Sequence, residues 1–170
     1  TFTNTRATGS IELMKTKSDT AAQTTLNIGT SVDGTEVASV QTGADGTDPL
    51  TTGTEAVDTG TYYVSESGGL ADYDSELACT RDDQPFTPGP DGLVVVGPDE
   101  GIVCTFTNTR ATGSIELRKA WSGTGGQTTL SIGTSVGGTE VASVQTGADG
   151  ADPLTTGVEG VDTGTYYVSE

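Results

Sequence analysis

Residues 105–117 read Thr-Phe-Thr-Asn-Thr-Arg-Ala-Thr-Gly-Ser-Ile-Glu-Leu and repeat residues 1–13 without a change. The repeat has a period of 105 − 1 = 104 residues and runs without a gap, so that residues 1–66 align with residues 105–170. A repeat of this length predicts an array of similar domains, because 104 residues is an ordinary size for one folding unit. The 11 aligned pairs that differ are Met14/Arg118, Thr16/Ala120, Lys17/Trp121, Asp19/Gly123, Ala21/Gly125, Ala22/Gly126, Asn27/Ser131, Asp33/Gly137, Thr47/Ala151, Thr54/Val158 and Ala56/Gly160.

Two runs of alternating residues flank the junction between the copies. Every second position of the first run is Ile102, Cys104, Phe106 or Asn108, and every second position of the next run is Ile115, Leu117 or Lys119. A period of two predicts strands, the last of one domain and the first of the next. Residues 110–114 are too few for a flexible tether, which predicts a semi-rigid rod.

The repeat predicts the domain boundaries. We expect residues 1–8 to be the closing strand of a preceding repeat, residues 9–112 to be one complete repeat, and residues 113–170 to be an incomplete next repeat. The partners expected from such an array are neighbouring repeats of the same protein, in a linear polymer or filament.

The composition excludes several classes of function. The net charge is −17, from 24 acidic and 7 basic residues, and there is no histidine. Nucleic acids and anionic membranes attract positive surfaces, so neither is an expected partner. No membrane insertion is expected in this segment, and no cofactor is expected. The charge is interpreted as a source of solubility and of repulsion between crowded fibres.

Short β-type runs at regular intervals predict an all-β sandwich with about seven or eight strands in each unit. We expect strands over residues 9–17, 24–32, 36–42, 50–57, 60–66, 75–81, 92–97 and 100–109. Residues 82–92 are rich in Pro, Gly and Asp and are expected to form an exposed loop.

The complete unit has one pair of cysteines, Cys79 and Cys104, without the close spacing of a zinc or redox site. An even count in a loop-rich secreted domain favours a disulfide. This disulfide would tie the strand that precedes the Pro-rich loop to the closing strand.

Three polar residues fall on strand faces that are otherwise apolar. Lys15 follows Ile11 and Leu13 on its strand face. Glu66 follows Tyr62 and Val64, and Asn108 follows Phe106. Buried charges without partners are costly, so we expect the three side chains to lie together. The first and last strands of a sandwich can be neighbours, which would bring Lys15 close to Asn108.

Three segments resemble the strands of a known family: Gly-Ser-Ile-Glu-Leu-Met-Lys at residues 9–15, Gly-Thr-Tyr-Tyr-Val-Ser-Glu at residues 60–66, and Cys-Thr-Phe-Thr-Asn-Thr at residues 104–109. They are similar to the opening, middle and closing strands of prealbumin-like repeats, the SpaA-type pilin and Cna B-type adhesin domains of Gram-positive surface proteins. The cysteine pair departs from well-known members of that family.

The resemblance implies an amide bond between two side chains. Lys15 would supply the amine, Asn108 the carboxamide, and Glu66 the assisting acid. Partial copies of this triad are Lys119, Glu170 and Asn4. Two other interpretations stay open, namely a buried Lys–Glu ion pair with Asn as hydrogen-bond partner, and a triad in which one side chain reaches solvent at a strand end.

The clustered acids at Asp45 and Asp48, at Asp82-Asp83 and at Asp99-Glu100 offer oxygen ligands of the kind that calcium uses. None has the spacing of a helix–loop–helix calcium site. We interpret them as turn residues and expect no metal site.

The sequence contains no histidine, no nucleophile elbow and no phosphate-binding loop, so an enzyme that acts on a separate substrate is not expected. The predicted function is a structural repeat of an extracellular fibre, stalk or pilus-like appendage at the cell surface. The alternative is a ligand-binding adhesin module whose ligand the sequence does not identify.

Overall fold

A computed structural model describes residues 1–17, 23–44 and 49–170 of the chain. The chain divides into two units, Thr1–Arg110 and Ala111–Glu170. Within the described ranges the regular structure is β-strand, apart from short 3-10 turns such as Pro90–Gly92 and Ala148–Gly150. The prediction of an all-β protein is therefore confirmed.

The first unit folds into two sheets. Their strand orders are β4-β1-β9-β6-β7 and β3-β2-β5-β8. The strands are β1 Thr8–Lys17, β2 Thr25–Gly29, β3 Ala38–Gln41, β4 Glu55–Asp58, β5 Gly60–Ser67, β6 Tyr73–Arg81, β7 Gln84–Phe86, β8 Leu93–Val96 and β9 Gly101–Arg110.

One apolar core joins the two sheets. The five-stranded sheet contributes Ile11 and Ile102, and the four-stranded sheet contributes Leu26, Val64 and Val94. Alternation along each strand sends these side chains inward, and each large buried side chain contributes about 1.5–3 kcal/mol. A core shared in this way is the arrangement of a β-sandwich.

The first and last strands of the unit are parallel neighbours. β1 pairs with β9 from Ser10 opposite Gly101 to Lys17 opposite Asn108. On its other side β9 pairs with β6, so β9 lies in the middle of its sheet. The carboxyl ends of β1 and β9 therefore lie side by side at the same end of the sheet.

Residues 82–92 are largely exposed, as the sequence predicts, but they contain the short strand β7 and a 3-10 turn that it does not predict. Asp82 and Asp83 both take a positive φ, of 47° and 64°, and close a tight turn between β6 and β7. A two-residue hairpin needs this conformation, which aspartate tolerates better than most residues. Pro85 fits because β7 lies at the edge of its sheet, and Phe86 packs against the core.

The predicted strands 24–32 and 50–57 are much longer than the observed ones. β2 ends at Gly29, which lies against the backbone of Gly34, so that a side chain at residue 29 would clash with it. Residues 30–36 form a turn instead, and Val32 is exposed. In the predicted strand 50–57, β4 covers only Glu55–Asp58, and Thr51 makes an isolated bridge to Met14.

The second unit repeats the first part of this fold. Its strands are β10 Thr112–Ile115, β11 Thr129–Gly133, β12 Ala142–Gln145, β13 Glu159–Asp162 and β14 Tyr167–Ser169. β10 pairs with β13 in the register that β1 shares with β4, and β11 lies between β12 and β14 as β2 lies between β3 and β5. β10 is shorter than β1, and among the described residues β13 is the strand that pairs with it.

Residues 1–7 lie outside any strand and are exposed. Their proposed role as the closing strand of a preceding repeat stays a prediction.

Candidate cross-linking site

The end of the first unit's sandwich holds a buried polar cluster. Lys15 lies near the end of β1, and Asn108 lies near the end of β9, the parallel neighbour of β1. Glu66 lies near the end of β5 in the facing sheet. The same alternation that buries Ile11 and Leu13 turns Lys15 inward.

Glu66 is the common partner in this cluster. The Lys15 Nζ forms an ion pair with the Glu66 Oε1, and only 0% and 1% of these two side chains is exposed. The Nδ2 of Asn108, which is also buried, donates a hydrogen bond to the same oxygen at 3.3 Å. One carboxylate oxygen therefore faces both the amine and the carboxamide.

The backbone around Lys15 is fixed by hydrogen bonds from the opposite edge of β1. The Lys15 N–H donates to the Leu50 carbonyl oxygen at 2.8 Å. Two residues earlier, the Leu13 N–H donates to the Thr52 Oγ1 at 3.0 Å. β1 is thus held on both sides where it delivers the amine.

Ser75 completes the surroundings of Glu66, and sequence reasoning missed it. Its Oγ donates to the Glu66 Oε2 at 3.4 Å. Ser75 lies opposite Asn108 in the pairing of β6 with β9, on the same strand face as Leu77 and Cys79. Alternation places Ser75 on the same strand face as Cys79, but a serine is common on either face and gave no signal.

A depression of about 310 Å³ lies beside the cluster, and its lining includes Glu66, Leu77 and Phe106. The polar groups of the cluster are buried, yet solvent comes close to them through this depression.

The burial values agree with two of the three interpretations. A cluster in which one side chain reaches solvent is wrong, because Lys15, Glu66 and Asn108 are all buried side by side. A buried ion pair with an amide hydrogen bond and a set of reactants for an amide bond both fit the contacts.

Cys79 and Cys104 form a disulfide, the pairing that the sequence predicts. They lie directly opposite each other on β6 and β9, with their Cα atoms 4.1 Å apart. Cys104 precedes Asn108 by four positions on β9, so the disulfide braces the strand that carries the carboxamide.

The second unit brings together two of the partial copies. The Lys119 Nζ lies 2.5 Å from the Glu170 Oε1, and 17% and 47% of these side chains is exposed. The Lys119 amine also lies 4.2 Å from the centre of the Trp121 ring. Asn4, the third partial copy, belongs to the exposed residues 1–7.

The acidic pairs lie in turns. Asp82, Asp83 and Asp99 take positive φ values, as turn residues do. The Asp82 Oδ1 accepts a hydrogen bond from the Gly101 N–H at 2.9 Å, so this acid closes a loop. Asp45 and Asp48 lie outside the described residues. The described ranges contain no cluster of three or more acidic, histidine or cysteine side chains suited to a metal ion.

No family model, curated protein or solved structure matches the chain. Among the described residues, no helix is long and apolar enough to cross a membrane.

Proposed function

We propose that this chain is a structural part of an extracellular fibre, stalk or pilus-like surface appendage, built from tandem prealbumin-like sandwiches. Each complete unit is braced by a disulfide and by an amide bond between Lys15 and Asn108. The observation that carries the proposal is the buried cluster in which the Glu66 Oε1 contacts both reacting side chains.

The chemistry of the amide bond follows from that contact. In an apolar site, transfer of a proton from the Lys15 ammonium to the Glu66 carboxylate removes two buried charges. The neutral Nζ then attacks the Cγ of Asn108 and forms the new C–N bond, while the protonated Glu66, whose Oε1 contacts the Nδ2, gives its proton to that nitrogen. The C–Nδ2 bond breaks and the Nδ2 leaves as ammonia. The Glu66 carboxylate then takes one proton from the attacking nitrogen, so the new amide keeps one hydrogen and Glu66 ends protonated. The reaction needs no oxidant and no external reagent.

Three features support a fibre. A structural disulfide persists in an oxidising compartment, such as the outside of a cell. Near-identical units in tandem suit a protein whose purpose is length. Only Ala111 separates β9 from β10 in the chain, so the proposed array has no long linker at this junction.

A ligand-binding adhesin module is the alternative, and one observation favours it. The depression of about 310 Å³ is lined partly by apolar side chains, including the exposed Val32, and its volume is at the lower end of ordinary ligand sites. A structural rod does not need such a depression, whereas a binding module would use it. Neither function requires catalysis on a separate substrate.

Intact mass spectrometry tests the proposal. The folded chain should be lighter than its sequence mass by one ammonia, in addition to the two hydrogens lost in the disulfide. Lys15→Arg and Glu66→Ala should each restore the ammonia, because the first removes the amine and the second removes the acid. Lys17→Arg is the matched control and should keep the loss. A folded wild-type chain without the ammonia loss would leave the ion pair as the correct interpretation.

A further inference from the structure

The differences between the two copies are concentrated in one segment. Six of the 11 differing pairs fall within residues 14–22 and their counterparts 118–126. Two of these pairs are Lys17/Trp121 and Ala21/Gly125, so the second copy gains a tryptophan and, four positions later, loses a methyl group. Trp121 is the single tryptophan of the chain.

Trp121 needs the glycine that accompanies it. A Cβ atom built on Gly125 would lie 2.4 Å from the Cδ2 and 2.6 Å from the Cγ of the indole, far inside van der Waals contact. The neighbouring Gly126 has no atom within 4 Å of the same position. The indole therefore rests on the backbone at residue 125, and the alanine of the first copy would not fit there.

The Lys119 amine also contacts Trp121. The Lys119 Nζ lies 4.2 Å from the centre of the ring and 2.5 Å from the Glu170 Oε1. The indole Nε1 is buried without a hydrogen-bond partner in the part of the chain that the structure describes. The Lys119 amine lies over the ring, and a cation over an indole face is attracted to it.

We infer that Trp121 is a positioning residue of the second copy: the indole, seated on Gly125, holds the Lys119 amine against Glu170. The inference rests on the proposed cross-linking function, because Lys119 and Glu170 are the amine and the acid of the second copy. In the first unit, β9 pairs with the strand that carries Lys15, and it supplies Asn108. Residues 111–170 contain no asparagine, and there the indole covers the amine while the amine and the acid are already paired.

The rate of amine acetylation at Lys119 tests this inference. The full chain is treated with the N-hydroxysuccinimide ester of acetic acid, and labelling is followed by peptide mass spectrometry relative to the exposed amino group of Thr1. Gly125→Ala should raise the rate at Lys119 about fivefold, equivalent to about 1 kcal/mol of lost contact. Gly126→Ala is the matched control and should leave the rate unchanged.

Two changes at the ring separate positioning from general stability. Trp121→Lys restores the residue of the first copy and should label as fast as Gly125→Ala, whereas Trp121→Phe keeps an aromatic face and should retain most of the protection. Acrylamide quenching of Trp121 fluorescence should increase in Gly125→Ala but not in Gly126→Ala. Wild-type labelling rates in both Gly125→Ala and Trp121→Lys would overturn the inference, as would equal effects of the two glycine changes.

These outcomes are independent of the amide bond in the first unit. A full sequence mass together with intact protection of Lys119 would reject the proposed cross-link and keep the positioning role. Loss of one ammonia together with an unprotected Lys119 would reject the positioning role alone.

Discussion

At the scale of single residues, the buried charge of Lys15 depends on one carboxylate. Glu66 is its ion-pair partner, and both side chains are almost fully removed from solvent. Breaking a buried pair by removing one member is strongly destabilising, whereas replacing both members by apolar residues often is not. This asymmetry gives a test of the contact in variants that lack the acid and so cannot form the amide bond.

We expect Glu66→Leu to lower the free energy of unfolding by about 3–5 kcal/mol, because Lys15 is left in an apolar site. The double change Lys15→Met with Glu66→Leu should be less destabilising than Glu66→Leu alone. Urea titrations of the double variant and of both single variants, Glu66→Leu and Lys15→Met, measure the difference. A double variant whose loss equals the sum of the two single losses would contradict the ion pair.

Two exposed carboxylates predict how stability depends on pH. The pKa of Glu36 is below its ordinary value of 4.5, first because of the residue's own backbone N–H and then because of the N–H of Thr30, 3.0 Å from the Oε2. The pKa of Glu140 is lowered in the same way by its own N–H and that of Thr134. Both acids thus close equivalent turns in their ionised form.

Because these pKa values are lower in the folded state, the stabilisation is present above about pH 4.5 and is lost as the pH falls through the lowered values. The double change Glu36→Gln with Glu140→Gln should therefore unfold at lower urea than the wild type at neutral pH. At acid pH the urea midpoints of the double variant and of the wild type should converge. A gap that is constant from neutral to acid pH would show that the ionised acids do not close the turns.

Strand alternation predicted the position of each member of the cluster, because one face of a sandwich strand must be apolar. Lys15, Glu66 and Asn108 stood out as exceptions to that pattern. Alternation did not reveal Ser75, because a serine is unremarkable on either face. It also did not reveal the contact between Trp121 and Gly125, because that contact depends on the path of a loop.

At the scale of elements, β9 is the strand on which the first unit depends. It pairs with β1 on one side and β6 on the other, and it carries both Cys104 and Asn108. The sequence predicted this strand because its alternation is long and uninterrupted. It did not predict β7, because a tight turn of two aspartates with positive φ looks like an exposed loop in a sequence rich in Pro and Gly.

The disulfide on this strand should be a main source of stability. It closes a loop with a sequence separation of 25 residues, and closing a loop of that size contributes about 3.5 kcal/mol on the chain-entropy model. Cys104→Ser should therefore lower the melting temperature markedly, as measured by circular dichroism.

Reduction of the wild type should lower the melting temperature by a similar amount, since both treatments open the same loop. If the reduced wild type melts at the same temperature as the oxidised protein, the disulfide does not stabilise the fold.

At the scale of the whole molecule, the two units differ in how fully they bury equivalent apolar residues. Val64 in β5 is 1% exposed, whereas its counterpart Val168 in β14 is 54% exposed. Leu130 and Ile132 are buried in the second unit, as their counterparts are in the first. The second unit thus has a partial core, and burial of apolar area is the main source of stability.

We expect residues 111–170 to unfold at a lower urea concentration than residues 1–110. Trp121 is the single tryptophan and lies in the second unit, so its fluorescence reports that unit alone. Circular dichroism reports the strands of both units and should show a second, later transition. A single transition that coincides in both signals would mean that the units unfold together.

The parallel pairing of β1 with β9 has a mechanical consequence. The chain enters the first unit through β1 and leaves it through β9, and the two strands run side by side in the same direction. Tension between the entry and the exit therefore slides one strand along the other, and it loads all the hydrogen bonds between them at once. A hairpin pulled apart from one end loses its bonds one after another under a much smaller force. The unit should thus resist stretching even with its side-chain amide absent, and an amide between Lys15 and Asn108 would carry the load directly from β1 to β9.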